Sequence, residues 1–389
     1  MAIPSRQTSI RFIVALLGAA TALGLTGCGN FFQCEGKPSC PASSSGGGTG
    51  TTSGDYAYVS NSTSSTSSIS VFDVSTGAPL ALSNSPISLG YEPTAMAITP
   101  NNSFLFVSST VNTAVYTYSI GSTGTLSNVN GTQAAVTLNA SAMDISPDSK
   151  YLYVLDFSTV GTSLDQYSIG SNGALTAVTS GFPLPLIGTS GASIKVAPTG
   201  DFLVVTLGTA GDVIVPLTNE VIDSITANPI TFTTSTVGDF GVAIDENDQV
   251  YFSRTGSVSV YQVASNGGSY KEITNTAANS DTGAGNRAIL VNGSNVYTAN
   301  LTANNLSGFS ATTAGILAQL TGSPYAGPST VGAIGVDSSG KYLVAAGYGT
   351  AGVQVYAIGS TGALTASSTT ANNGTSTSVP VVMAVTPLQ

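Results

Sequence analysis

The string Met383-Ala384-Val385-Thr386-Pro387 restates Met96-Ala97-Ile98-Thr99-Pro100, and this return constrains the fold more than any other feature of the chain. Related strings lie between them: Met143-Asp144-Ile145-Ser146-Pro147, Ile194-Lys195-Val196-Ala197-Pro198, Val242-Ala243-Ile244-Asp245, Ala288-Ile289-Leu290-Val291 and Ile334-Gly335-Val336-Asp337. With Ile98, Ile145, Val196, Ile244, Leu290, Val336 and Val385 taken as equivalent, the steps are 47, 51, 48, 46, 46 and 49 residues. A period in this range, with several short strands per unit, specifies small sheets repeated around an axis. The last string has no unit of its own. It is expected to supply the first strand of a sheet whose other strands come from the N-terminal side, which closes the ring.

Each unit opens with this apolar strand a, followed by a turn such as Pro100-Asn101-Asn102-Ser103 or Pro147-Asp148-Ser149-Lys150, built from residues that tight turns favour. Strand b follows, as Phe104-Leu105-Phe106-Val107, Tyr151-Leu152-Tyr153-Val154 or Tyr56-Ala57-Tyr58-Val59; such β-branched and aromatic runs suit a buried pleat. Strand c alternates, as in Val115-Tyr116-Thr117-Tyr118-Ser119-Ile120 and Val353-Gln354-Val355-Tyr356-Ala357-Ile358. A glycine hairpin ends it, as in Gly121-Ser122-Thr123-Gly124, and strand d is the most degenerate. In the fourth unit Pro216 replaces the strand c aromatic. Because proline cannot donate to a ladder, an irregular strand or a bulge is expected there. The reading is an all-β chain of seven blades.

Leu-Tyr-Val strands, Tyr-x-Ile-Gly-Ser-x-Gly-x-Leu hairpins and Ser-Pro-Asp-Ser-Lys turns resemble those of the lactonase-like seven-bladed β-propellers. That group includes the 6-phosphogluconolactonases and the carboxymuconate-lactonising enzymes; more loosely, the repeat is similar to the Tyr-Val-Thr-Asn and WD40 types. The resemblance covers residues 55–389 and its motifs are structural. It implies a channel-mouth site of His, Arg and Glu. This chain contains no His, so the histidine has no counterpart here, and no Arg or Glu aligns with a family motif.

The N-terminus has the form of an export signal. Arg6 and Arg11 precede the apolar stretch Phe12–Leu25, and Leu25-Thr26-Gly27-Cys28 has lipobox form. Residues 1–27 are read as a lipoprotein signal peptide, with Cys28 as the lipidated residue and membrane anchor. Residues 28–54 form a Ser/Gly/Thr-rich tether. Cys34 and Cys40 lie within it, spaced for a small disulfide loop in an oxidising compartment. The propeller then fills residues 55–389. Loss of the signal leaves 7 basic and 19 acidic residues, a net charge of −12, which argues against nucleic acid as a partner. The expected location is the cell envelope, as a monomer whose partner is a small anion or another protein. No cofactor and no metal are expected.

In an antiparallel blade the start of strand a and the end of strand b lie at one end of the ring. Strand a starts there place Glu92, Asp239, Asn286 and Arg287; strand b ends place Asn61, Ser109, Asp156, Arg254 and Asn300. Arg254 and Arg287 are the two arginines beyond the signal. Arg287 aligns with Ala95, Ala142, Ser193, Gly241, Ala333 and Val382. It is either an anion clamp or a channel filler paired with Asp239 or Asp245. Asp144 and Lys195 share one strand a position on consecutive units, as a structural ion pair or as a catalytic pair. Without His there is no ordinary Ser-His-Asp triad. Asp245-Glu246-Asn247-Asp248 does not match a calcium-loop spacing. These features favour a binding or scaffold module, with a lactone hydrolase using Arg and carboxylates as the alternative.

Overall fold

Strand b of each repeat is apolar at successive positions, as in Phe104-Leu105-Phe106-Val107, so it has two apolar faces that must be covered on both sides. The molecule solves this with seven antiparallel sheets, each lying between two others. The structure, a computed structural model, describes residues 54–62, 66–131, 133–158, 161–186, 193–222, 230–231, 239–254, 256–273, 286–348, 352–371 and 382–387. Every regular element among them is a strand. The signal peptide, Cys28, Cys34 and Cys40 lie outside the described residues.

Blade two runs a to d as Ala95–Ile98, Phe104–Ser109, Ala114–Ile120 and Leu126–Asn128. Blade three runs Ala140–Ile145, Tyr151–Ser158, Gly161–Ile169 and Leu175–Pro183. Blade four runs Ser193–Val196, Phe202–Thr206, Asp212–Pro216 and Ile230–Thr231. Blade five begins Asp239–Ile244, Gln249–Arg254 and Ser257–Val263. Blade six begins Asn286–Asn292, Asn295–Asn300 and Asn305–Ala311, and blade seven Val331–Val336, Tyr342–Gly347 and Val353–Ile358.

Blade one is assembled from both ends of the chain. Met383–Val385 pairs antiparallel with Tyr56–Ser62, matching Ala57 with Val385 and Val59 with Met383. Strand a of every blade touches strand a of both neighbours, and Met383–Val385 touches those of blades two and seven. The ring is closed, as the returning string predicts.

The core is divided into clusters that each fill one seam between blades. Burying one large side chain in such a seam is worth about 1.5–3 kcal/mol. A second contact joins the same neighbours. The turn between strands c and d of each blade rests on strand b of the blade before it. The phenols of Tyr58 and Tyr297 donate to the carbonyls of Gly124 and Gly362 at 3.1 and 2.6 Å. A Cβ on Gly77 would overlap Tyr342 of blade seven, which carries the pattern across the closure.

Two local expectations are corrected. Strand c of blade four pairs in unbroken register from Thr206↔Asp212 to Phe202↔Pro216, with no bulge. Leu217 donates to the Asp201 carbonyl at 2.7 Å, so the alternating ladder turns the Pro216 nitrogen away from strand b. Among the described residues, strand d pairs with Val213 and Ile214. In blade six, Tyr297 pairs with Leu290 and Val296 with Val291, whereas in blade five Tyr251 pairs with Ala243 and Val250 with Ile244. The residue equivalent to Ile244 is therefore Val291, and the alignment of blade six moves by one.

Candidate functional site

Four blades carry a β-bulge at the start of strand a. The register shifts between Ala140 and Ala142, Asp239 and Gly241, Asn286 and Ala288, and Val331 and Ala333. With the corrected alignment, Arg287 is the extra residue of the bulge in blade six. Its counterparts are Ser141, Phe240 and Gly332, and Ala288 holds the position shared with Ala142. A bulge re-aims the side chain it carries and is common beside active sites. The side chains of Arg287, Asn286 and Asp239 lie outside the described set; their backbones pair Asn286 with Asn300 and Asp239 with Arg254.

The strand b ends form the ring expected at this mouth: Asn61, Ser109, Asp156, Arg254 and Asn300 occupy one structural position, with Leu207 and Gly347 completing it. Arg254 is not an open cation. Its Nη2 lies 3.8 Å from Oδ2 of Asp212, and the two side chains are 12% and 1% exposed. Asp212 starts strand c of blade four, opposite Thr206. The same position holds Ile69, Val115, Leu164, Val258, Leu306 and Val353 in the other blades. A carboxylate at a place otherwise apolar, buried against the arginine of the next blade, was a signal present in the sequence. Arg254 also bears on Tyr261, whose hydroxyl is raised by burial while the guanidinium acts in the opposite direction.

Asn300 is fully buried. Its Nδ2 donates to Asn305 at 2.7 Å and Ser307 at 2.9 Å, and its Oδ1 accepts from Thr298 at 3.1 Å. The hydroxyls one residue before the ring are committed as well. Those of Ser60, Ser108, Thr206 and Ser253 accept the backbone amides of Val382, Ala95, Ser193 and Gly241 at 2.8–3.0 Å. They brace the start of strand a.

Asp156 is half-buried, with Oδ1 enclosed by protein. Burial raises its carboxyl, against a hydrogen bond from the Asn139 backbone. Asp165 of strand c faces the same seam. Burial raises it too, opposed by the Gly181 amide at 3.1 Å and reinforced by Asp156. Glu92 is half-buried ahead of strand a in blade two. It follows Tyr91, whose ring stacks on Tyr116 at 3.8 Å and whose hydroxyl meets that of Tyr118 at 2.8 Å. The structure thus gathers Arg254 with Asp212, and Asp156 with Asp165, in different seams.

Asp144 and Lys195 form the expected cross-blade ion pair, Nζ to Oδ2 at 3.2 Å. The same oxygen accepts the Val196 amide at 2.8 Å. The Asp245 carboxylate is filled by the amides of Asn247 and Gln249 and by the Tyr251 hydroxyl, at 2.9–3.1 Å. It caps its own turn.

Comparison with known proteins agrees with this architecture. The family model described as "Lactonase, 7-bladed beta-propeller" matches residues 43–137. No curated protein matches the chain in sequence. A candidate 6-phosphogluconolactonase from Bacteroides fragilis superposes with a TM-score of 0.64 at 18% identity, over 87% of this chain and 99% of its own. The periplasmic gluconolactonase of Pseudomonas aeruginosa gives 0.62 at 14% identity, over 86% and 99%. A protein of unknown function from Desulfotomaculum acetoxidans gives 0.59 at 16%, over 85% and 99%. The resemblance to lactonase-like seven-bladed propellers therefore holds for the fold.

Proposed function

We propose that this propeller is a lipid-anchored module of the cell envelope that binds or scaffolds a partner and does not hydrolyse lactones. The observation that carries the reading is Arg254. Of the two arginines expected at the mouth, it is held in a buried pair with Asp212 across blades four and five. A guanidinium committed in this way is poorly placed to stabilise a developing oxyanion, which needs donors aimed at the reacting atom. The chain contains no His to act as a base, and the mouth hydroxyls of Ser60, Ser108, Thr206 and Ser253 serve the backbone. The lipid anchor rests on Cys28 and its lipobox.

A second reading is favoured by the bulge that carries Arg287. With an acidic neighbour such as Asp239 or Glu92, it would make a lactone hydrolase in which a carboxylate activates water. The deciding experiment is hydrolysis of sugar and muconate lactones by the purified protein, with Arg287→Ala as the control. Absence of turnover in folded protein is expected. Turnover above background that Arg287→Ala abolishes would replace the binding reading with the hydrolase. For the anchor, Cys28→Ser is expected to abolish incorporation of labelled palmitate and to release the chain from membranes.

A further inference from the structure

Four Asn-Gly pairs lie among the described residues: Asn130-Gly131, Asn172-Gly173, Asn266-Gly267 and Asn292-Gly293. A fifth, Asn373-Gly374, lies outside them. The dipeptide is chemically reactive, because glycine has no Cβ to keep its backbone nitrogen from the asparagine side chain. All four pairs share that glycine, so the fold decides which of them reacts. Attack needs a free glycine N–H and a side-chain amide able to turn toward it.

In three pairs the fold withholds one or both. The Gly173 and Gly267 amides donate to the carbonyls of Gly170 and Ala264 at 2.8 and 2.7 Å. Both glycines are buried against the preceding blade, where an added Cβ would lie 2.8 Å from Phe104 and from Phe202 respectively. The side chains of Asn172 and Asn266 are turned back as well, since their Oδ1 atoms accept the Ala174 and Gly268 amides at 3.2 and 2.9 Å. Asn292 is half-buried, and its Nδ2 donates to the Gly340 carbonyl of blade seven at 2.8 Å.

Asn130-Gly131 meets both requirements. It lies just beyond strand d of blade two, and both residues are exposed. Among the described residues, neither the Asn130 side chain nor the Gly131 N–H has a hydrogen-bond partner. Gly131 has φ 66°, and a Cβ built on it would meet nothing within 4 Å. The turn itself is held from both sides. Asn128 Oδ1 accepts the Asn130 amide at 2.9 Å, and Gln133 donates to the Asn130 carbonyl at 3.3 Å. That carbonyl belongs to the same peptide unit as the Gly131 nitrogen, so a donor on it favours loss of the proton from Gly131.

We infer that Asn130 is a site of spontaneous modification, converted to aspartate and isoaspartate through a cyclic imide closed by Gly131. The Gly131 nitrogen gives up its proton and bonds to Asn130 Cγ. The Cγ–Nδ2 bond breaks, and ammonia leaves with that proton. Water then opens the imide at one of its two carbonyls. Opening at Cγ leaves aspartate, and opening at the main-chain carbonyl leaves isoaspartate. Either product carries a new carboxylate, and isoaspartate also adds a methylene to the main chain. The change falls on a joint in blade two. The turn leads from Leu126–Asn128 to residues 134–136, where Ala135 donates to the Val115 carbonyl at 2.7 Å and Val115 to that of Val136 at 3.0 Å. Val115 follows Ala114, which pairs with the ring residue Ser109. A lengthened turn therefore acts on the mouth end of this blade.

The test is timed incubation of the full chain in mildly alkaline buffer, with peptide-resolved mass spectrometry reading the gain of one mass unit at each asparagine. A hydrogen bond that must first be broken slows such a step about fivefold, so Asn172, Asn266 and Asn292 should lag Asn130 by about fivefold or more in the folded protein. In urea strong enough to unfold the chain, the four should react at similar rates, which shows that the fold makes the difference. Gly131→Ala, placed where a Cβ has room, should suppress the reaction at Asn130 and leave the other three unchanged. A folded-state rate at Asn130 no higher than at the other three, or one that Gly131→Ala leaves untouched, would overturn the inference.

Discussion

The Tyr297 hydroxyl of blade six donates to the Gly362 carbonyl of blade seven at 2.6 Å. Phenylalanine at 297 keeps the ring in the seam and leaves a buried carbonyl without its donor, a loss of about 1–3 kcal/mol. Gly362→Ala should be worse than a surface change. The residue has φ 82°, and an added Cβ would overlap the Asn295 side chain. Urea denaturation checks both, and an unchanged midpoint in Tyr297→Phe would show that apolar packing alone joins the blades.

The buried pair of Asp212 and Arg254 makes a sharper prediction. Asp212→Val restores the residue type of strand c in the other blades but strands the guanidinium in a seam where it is 12% exposed. Removing one partner of a buried pair costs about 3–5 kcal/mol. The double variant Asp212→Val/Arg254→Leu is expected to recover most of that loss, since blade four itself carries Leu207 at the ring position. A double-mutant cycle by chemical denaturation reads the coupling. Simple additivity of the two losses would mean that the pair is not coupled.

These two relationships mark the border of what the sequence discloses. The ring, its closure through Met383–Val385 and the Asp144–Lys195 pair were legible, because period and alternation fix which strands are neighbours. Blade six slipped by one because Ala288-Ile289-Leu290-Val291 is apolar throughout. It lacks the Pro or Asp that marks the end of strand a elsewhere, and its turn to strand b is one residue shorter than that of blade five, where Ile244 pairs with Val250 as Val291 pairs with Val296 here. Asp212 could have been found by aligning the starts of strand c, where it is the one charged residue. The partners of the Glu220 carbonyl, Tyr153 and Gln166, could not, since they lie on a different blade and only the packing of seams brings them together.

Within the channel wall, Asp144 and Lys195 should respond unequally. Lys195→Ala removes a partly exposed ion pair, worth about 0.2–1 kcal/mol. Asp144→Ala removes the same pair and also the acceptor of the Val196 amide at 2.8 Å, so it should cost about 1 kcal/mol more. Unfolding midpoints rank the two variants. Equal losses would assign the whole effect to the ion pair, and Asp144→Asn, which keeps an acceptor, would then fall with Asp144→Ala.

Asp156 supplies the pH dependence of the mouth. Burial lifts its carboxyl above the ordinary 3.8, and Asp165, lifted for the same reason, lies close enough for each charge to disfavour the other. The native state therefore holds these protons more tightly than the unfolded chain does. The associated stability is complete below the ordinary carboxylate range and is lost as pH rises through the raised native values. Asn at position 156 cannot ionise, and it also removes the charge that disfavours Asp165. Asp156→Asn is thus expected to be more stable than the wild type near neutrality and to lose that advantage on acidification. Denaturant midpoints at about pH 4 and about pH 7 decide the matter. A difference of the same size at both would trace the effect to packing, and the buried charge would then have no part in it.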